Sequence, residues 1–323
     1  MADDLHLADV LAALSVATDL GMGQEPEKAV RSCLVATGLA RALGLPEPEV
    51  RDVYYLALLQ HLGCTAPAHE STYVFGDALV TAPVAERTDD RNPREVLTLL
   101  LAAGRGMGAQ RLGYLARAVA SGKQGTRTVL RSVCEVGSRM SERLGLGEGV
   151  RLGLLHSLER WDGKSGAYGL RGDGIALPAR CTALAIQSVI FDRLGGPDGA
   201  VEMVRRRAGG WFDPEVAAAF EWTGPELLRD LADADVWAAV LAAEPEPVRR
   251  IPASGLDNVA RVFADMVDLM TPFTLGHSSG VADLAQAAAE RLGLPSREIH
   301  RAAMLHDLGA SRSRGTCGSG PAP

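Results

Sequence analysis

One stretch of this chain occurs twice, and the repeat limits the fold more than any other feature. The copies are KAVRSCLVATGLARALGLPEPEVRDVYYLALLQHLG (28–63) and HSSGVADLAQAAAERLGLPSREIHRAAMLHDLG (277–309). Each has a long apolar-periodic segment, then Leu-Gly-Leu-Pro, a second such segment and a closing Leu-Gly; the first copy carries three extra residues after the shared Leu-Gly-Leu-Pro. Apolar residues spaced three and four apart predict helices. A glycine just past a helix end takes the left-handed cap conformation at little cost. Each copy therefore predicts a helix pair joined by a tight connection. In register, Lys28 takes the place of His277, Gln60 that of His306 and His61 that of Asp307.

The same periodicity runs through the rest of the chain. It predicts helices over 5–19, 26–43, 47–62, 93–103, 107–121, 126–144, 147–160, 177–194, 198–207, 214–221, 225–232, 235–243, 256–270, 277–292 and 296–308. Aromatics are 5% of the 323 residues and hydrophobics 47%, which favours helix over sheet and supplies enough apolar side chains for a core. The fold class is all-α, and the length allows about two domains. EPEPVRRIP (244–252) holds three prolines and four charged residues and reads as a stiff linker. The expected division is 1–245 and 246–323, with an unstructured tail from about 310.

A net charge of −7 without basic clusters argues against nucleic-acid binding. Cys33, Cys64, Cys134, Cys181 and Cys317 are far apart and odd in number, so a disulfide framework is not expected and the cytoplasm is the expected compartment. The N-terminus lacks the basic region of a signal peptide. No apolar run approaches the ~20 residues of a membrane span, so no membrane partner is expected.

His306 and Asp307 close the second copy and His277 opens it. If its helices pack antiparallel, these three side chains meet. Imidazoles suit Fe, Mn or Zn, and a carboxylate can bridge two ions. Such a pair can activate water and clamp a phosphate oxygen. A helix-end His-Asp pair also reads as a surface pair or cap. His61, Cys64, His69 and Glu70 lie close in sequence but match no zinc spacing; a polar loop explains them as well. ERTDDRNPRE (86–95) reads as a solvated loop with a helix start, and Trp161 as a helix-end aromatic or part of a nucleotide pocket.

The pattern H…xLHDxG resembles the HD superfamily of metal-dependent phosphohydrolases. HSLERWDGKSGAYGLRGDGIALPAR (156–180) and GGWFDPEVAAAF (209–220) resemble the second half of its HD-GYP branch, with Glu159, Asp162, Gly163, Gly169, Leu170, Gly172, Ile175, Ala179, Arg180, Phe212, Asp213, Pro214, Val216 and Phe220 matching. The resemblance covers roughly 20–225 as one complete module and 265–309 as the first part of another. It implies an all-helical cyclic di-GMP phosphodiesterase with two or three Fe or Mn ions. In the second module His277, His306 and Asp307 are the implied metal ligands, with Asp307 bridging and catalytic. In the first, Lys28, Gln60, His61 and Cys134 (with Gly137 three residues on) stand in ligand places, Ser157-Leu158 replaces a His pair with His156 one place early, and Ser165-Gly166-Ala167 replaces the GYP triplet. The first module is expected to hold no metal and to act as a signalling or regulatory module, with a cyclic dinucleotide or other phosphoester as ligand and a homodimer as assembly. The alternative is an active phosphodiesterase whose missing ligands come from a longer chain or a partner. Back-translated with GC-rich codons, the tail Arg314–Pro323 reads in another frame as Arg-Asp-Val-Trp-Glu-Arg-Pro-Gly-Pro, so an out-of-frame ending is expected, with a natural disordered tail as the other reading.

Overall fold

The computed structural model describes residues 5–64, 78–103, 111–269 and 272–308. Among them are thirteen α-helices: α1 (Leu7–Gly21), α2 (Lys28–Ala42), α3 (Glu47–Leu58), α4 (Ala78–Arg87), α5 (Pro93–Ala103), α6 (Arg111–Arg143), α7 (Glu148–His156), α8 (Leu177–Arg207), α9 (Pro214–Ala232), α10 (Val236–Ala242), α11 (Leu256–Asp268), α12 (His277–Leu292) and α13 (Ser296–Met304). β1 (Leu5–His6) and β2 (Arg250–Ile251) form one short antiparallel pair, Leu5 opposite Ile251. The all-α class expected from periodicity is the observed one. No described helix is long and apolar enough to cross a membrane.

The chain forms two compact units. Of the described residues, the first comprises 5–19, 25–63 and 130–252; the second comprises 20–24, 64, 78–103, 111–129, 253–269 and 272–308. In the first, α2 packs against α3, α8 and α9. Val30, Cys33, Val35, Ala36 and Leu39 of α2 are completely buried, each large side chain contributing about 1.5–3 kcal/mol relative to exposure. Gly38 lets α2 approach α9: a Cβ there would lie 2.6 Å from Leu227 Cδ2. Tyr54 donates from its hydroxyl to Val240 O at 2.8 Å, and Tyr55 donates to the Glu244 carboxylate. Burial pushes both phenols well above their ordinary range, so both act as donors.

The helix bounds differ from the periodic pattern where backbone groups find other partners. The segment expected as 147–160 stops at His156: Ser157 and Glu159 N–H donate three residues back, to Leu154 O and His156 O, and the chain then bonds through Trp161 and Asp162 N–H to Trp211 O and Gly210 O. The expected break after 194 falls at Gly195 and Gly196, which leave helical φ/ψ before Pro197. The segments expected as 214–221 and 225–232 form one helix, with Pro225 inside it, and α6 joins two more. α4, with Pro83 inside, was not expected. Residues 244–252, expected as a stiff linker, are bonded into the first unit. Glu244 is buried, its Oε1 accepts from Arg249 N–H, and Arg250–Ile251 pair with β1. The expected unstructured tail lies outside the described residues.

In the second unit, α12 and α13 pack on α11 around Ala260, Ala264, Ala282 and Met304, with Ala303 and Leu305 against them. Arg297 and Arg301 of α13 both bond the carboxylate of Asp257 at the start of α11. The Arg301 guanidinium, opposed by partial burial and helped by Arg297, holds that carboxyl below its ordinary value. α12 spans the residues that its periodicity predicts, ending on Gly293 at φ 66°, ψ 27°.

Candidate metal centre

The connection at Gly293 turns the chain so that the start of α12 stands beside the residues following α13. α13 ends at Met304 and Leu305 caps it; His306 and Asp307, expected inside the helix, lie in the turn after it. That turn frees their side chains from the helical arrangement and directs them toward His277. One ligand atom from each of His277, His306 and Asp307 falls within a group whose members are all within 4.8 Å of one another.

His277 Nε2 is 3.5 Å and His306 Nε2 3.4 Å from the same oxygen, Asp307 Oδ2. The two rings sit 5.3 Å apart between centroids. His306 Nδ1 is 2.7 Å from Ala303 O. A carbonyl only accepts, so Nδ1 carries a proton, and Nε2 is the nitrogen on the Asp307 side. The side chains of His277, His306 and Asp307 are 44%, 34% and 24% exposed, so the cluster is open to solvent. Two imidazole nitrogens converging on one carboxylate oxygen fit a borderline divalent ion.

The helix start carrying His277 is fixed from behind. Gly276 caps α12 at φ 73°, ψ 6°. Asp268, the last residue of α11, is 2% exposed, and it accepts from Ser278 N–H at 3.0 Å and Ser278 Oγ–H at 2.7 Å. The first unit repeats the arrangement. Glu27 caps α2 at φ 65°, ψ 6°, and it alone among the described non-glycine residues has positive φ. Ala29 N–H donates to Asp19 Oδ2 at 2.8 Å. Asp19 and Asp268 each stand nine residues before the first slot, Lys28 or His277. Neither was picked out from the sequence; carrying the repeat nine residues upstream would have found both.

The slots of the first unit hold other chemistry. Lys28 is 2% exposed, His61 is buried and Gln60 is partly buried. His61 Nε2 lies 3.8 Å from Asp19 Oδ1. Cys134 is buried, and desolvation, opposed by a bond with Ser157, pushes its thiol up to about 12. It is protonated at neutral pH, when a metal needs the thiolate. His156 accepts from Ala176 N–H through Nδ1 at 3.1 Å. Glu159 accepts from Tyr168 and Leu170 N–H, so it organises the loop in the GYP position. Arg180 pairs with Asp213 at 2.7 Å and lies over the Trp161 ring. The 86–95 segment is a helix start, the Glu95 carboxylate accepting from Asp89 N–H and Asn92 Nδ2–H. His69 and Glu70 lie outside the described residues. Among the described residues no second group of three ligating side chains comes together.

Comparison with known proteins agrees with this layout. Residues 274–316 match the family described as HD domain, and the match contains all three clustered side chains. Over 312 residues the chain is 25% identical to a 3′3′-cGAMP-specific phosphodiesterase 3 of Vibrio cholerae, covering 94% of this chain and 68% of that protein. A crystal structure of a cyclic GMP-AMP specific phosphodiesterase from V. cholerae superposes with a TM-score of 0.74 at 24% identity, over 95% of this chain and 71% of the other, and it shares the fold. The HD-domain match thus contains the whole cluster, and the helical architecture is shared over nearly the whole of this chain.

Proposed function

We propose that His277, His306 and Asp307 hold a divalent ion, Fe or Mn, in a phosphodiesterase-type HD domain whose substrate class is cyclic dinucleotides, and that the preceding module (1–245) is non-catalytic and regulatory. The observation that carries this is the meeting of two imidazole Nε2 atoms at one carboxylate oxygen, 3.5 and 3.4 Å away. Bound there, the ion would supply Lewis-acid polarisation of a phosphoryl oxygen. The chain's own part is to present the ligands: Ala303 O sets the His306 tautomer, and Asp307 stands between both rings. The likeness to a 3′3′-cGAMP-specific phosphodiesterase of V. cholerae favours 3′3′-cGAMP, whereas the HD-GYP resemblance favours cyclic di-GMP.

Three donors fall short of a two-ion site, so this polypeptide on its own is proposed to bind metal without turnover. In the first module, a cation at Lys28 and a protonated thiol at Cys134 stand where ligands are implied, which supports a site that holds no ion. The described residues contain no disulfide, Cys33, Cys134 and Cys181 being buried thiols, which supports a reducing compartment such as the cytoplasm.

The test is metal analysis of purified protein after Mn²⁺ loading, with hydrolysis of 3′3′-cGAMP and cyclic di-GMP measured on the same sample. The reading predicts bound Mn²⁺ that disappears in His306→Ala, and no hydrolysis. Equal Mn²⁺ in both proteins refutes the ligand assignment, and turnover by the chain alone refutes the non-catalytic reading.

A further inference from the structure

The carboxylate of Asp268 is buried at 2% exposure, yet its hydrogen bonds go to none of the three clustered side chains. Its two oxygens are taken by one neighbour, Ser278, through the backbone N–H and the hydroxyl. Its own carbonyl accepts from Thr274 Oγ1 at 2.9 Å. Asp268 therefore gathers the end of α11, the 272–274 turn and the first turn of α12 onto one residue. A buried carboxylate is retained only with donors around it. The donors here are those next in sequence to His277.

We infer that Asp268, acting with Ser278, is the positioning residue that sets His277 against His306 and Asp307. The inference rests on the metal reading of the cluster, though the positioning itself does not need an ion. The first unit supports it independently. There Asp19 receives the N–H of Ala29 and fixes the helix start that carries Lys28, with an Ala in the place of Ser278. The backbone bond to the upstream carboxylate is thus common to both units. The second bond, from the Ser278 hydroxyl, is the addition found where the following cluster contains imidazoles. A second side-chain bond removes the remaining rotation of the first turn, which is what a ligand at the first helical position requires.

Ser278→Ala places at this position the residue that the first unit carries there, and it keeps the backbone bond to Asp268. Asp268→Asn tests the carboxylate. Mn²⁺ affinity by titration calorimetry is the first readout, and the nuclear Overhauser contact between the His277 and His306 rings in metal-free protein is the second. The expected result is a loss of affinity of about 10-fold in Ser278→Ala and more in Asp268→Asn, in line with other residues supporting metal ligands, with the ring contact weakened in both. Wild-type affinity together with an intact ring contact in Ser278→Ala overturns the inference, whether or not Asp268→Asn folds. If the wild type binds no Mn²⁺, the metal reading fails and the ring contact alone decides: weakened in Ser278→Ala it upholds the positioning, unchanged it overturns it.

Discussion

Glu159 is a residue of the first unit whose loss should be felt sharply. It is 4% exposed and accepts from Tyr168 N–H at 2.6 Å and Leu170 N–H at 2.8 Å. Gly166 passes so close, at φ 123°, that a Cβ there would lie 2.5 Å from Oε2. Glu159→Ala removes two bonds to a charged acceptor, each worth about 1.5–3 kcal/mol. The loop is partly open to water, so the lower end applies, about 3 kcal/mol in all. For a unit of this size that is a fall of about 6–12 °C in midpoint, read by circular dichroism melting of the full chain. Glu159→Gln keeps one acceptor oxygen but turns an amide donor toward the second N–H, so it should recover less than half of the loss. An alanine variant melting within about 2 °C of wild type would refute the account of this loop.

Three further substitutions follow from the same unit. Burial holds the His156 imidazole below its ordinary value of 6.5, with Glu159 pulling the other way; a lowered pKa stabilises the fold above 6.5 and is lost as pH falls through the folded value, so acid melts should show a decline that His156→Gln flattens. Gly63→Ala would put a Cβ 1.9 Å from Val133 O, a clash with backbone that costs about 3 kcal/mol or more, whereas Gly174→Ala, with nothing within 4 Å, should melt within about 1 °C of wild type.

The second unit's helix pair was the most legible part of the sequence. α12 begins and ends where the period and Leu292-Gly293-Leu294 place it, because Gly293 adopts the left-handed cap that the pattern calls for. The meeting of His277, His306 and Asp307 followed from packing that pair. What the sequence hid was decided by distant backbone partners. β1 joins β2 across most of the chain, and the segment after α7 bonds through Trp161 and Asp162 to residues 210 and 211. Glu27 shows no local sign of its positive φ; only its register with Gly276 reveals it. Asp19 and Asp268 carry the helix starts, but an acid nine residues before a helix has no signature until both copies are compared.

The measurement that tests the central claim most directly is Mn²⁺ titration of the intact chain by calorimetry, with His277→Ala, His306→Ala and Asp307→Ala alongside. The account predicts saturable binding in wild type, lost in each of the three variants and retained in Cys134→Ala. Binding that survives all three substitutions, or that vanishes with Cys134→Ala, would contradict it.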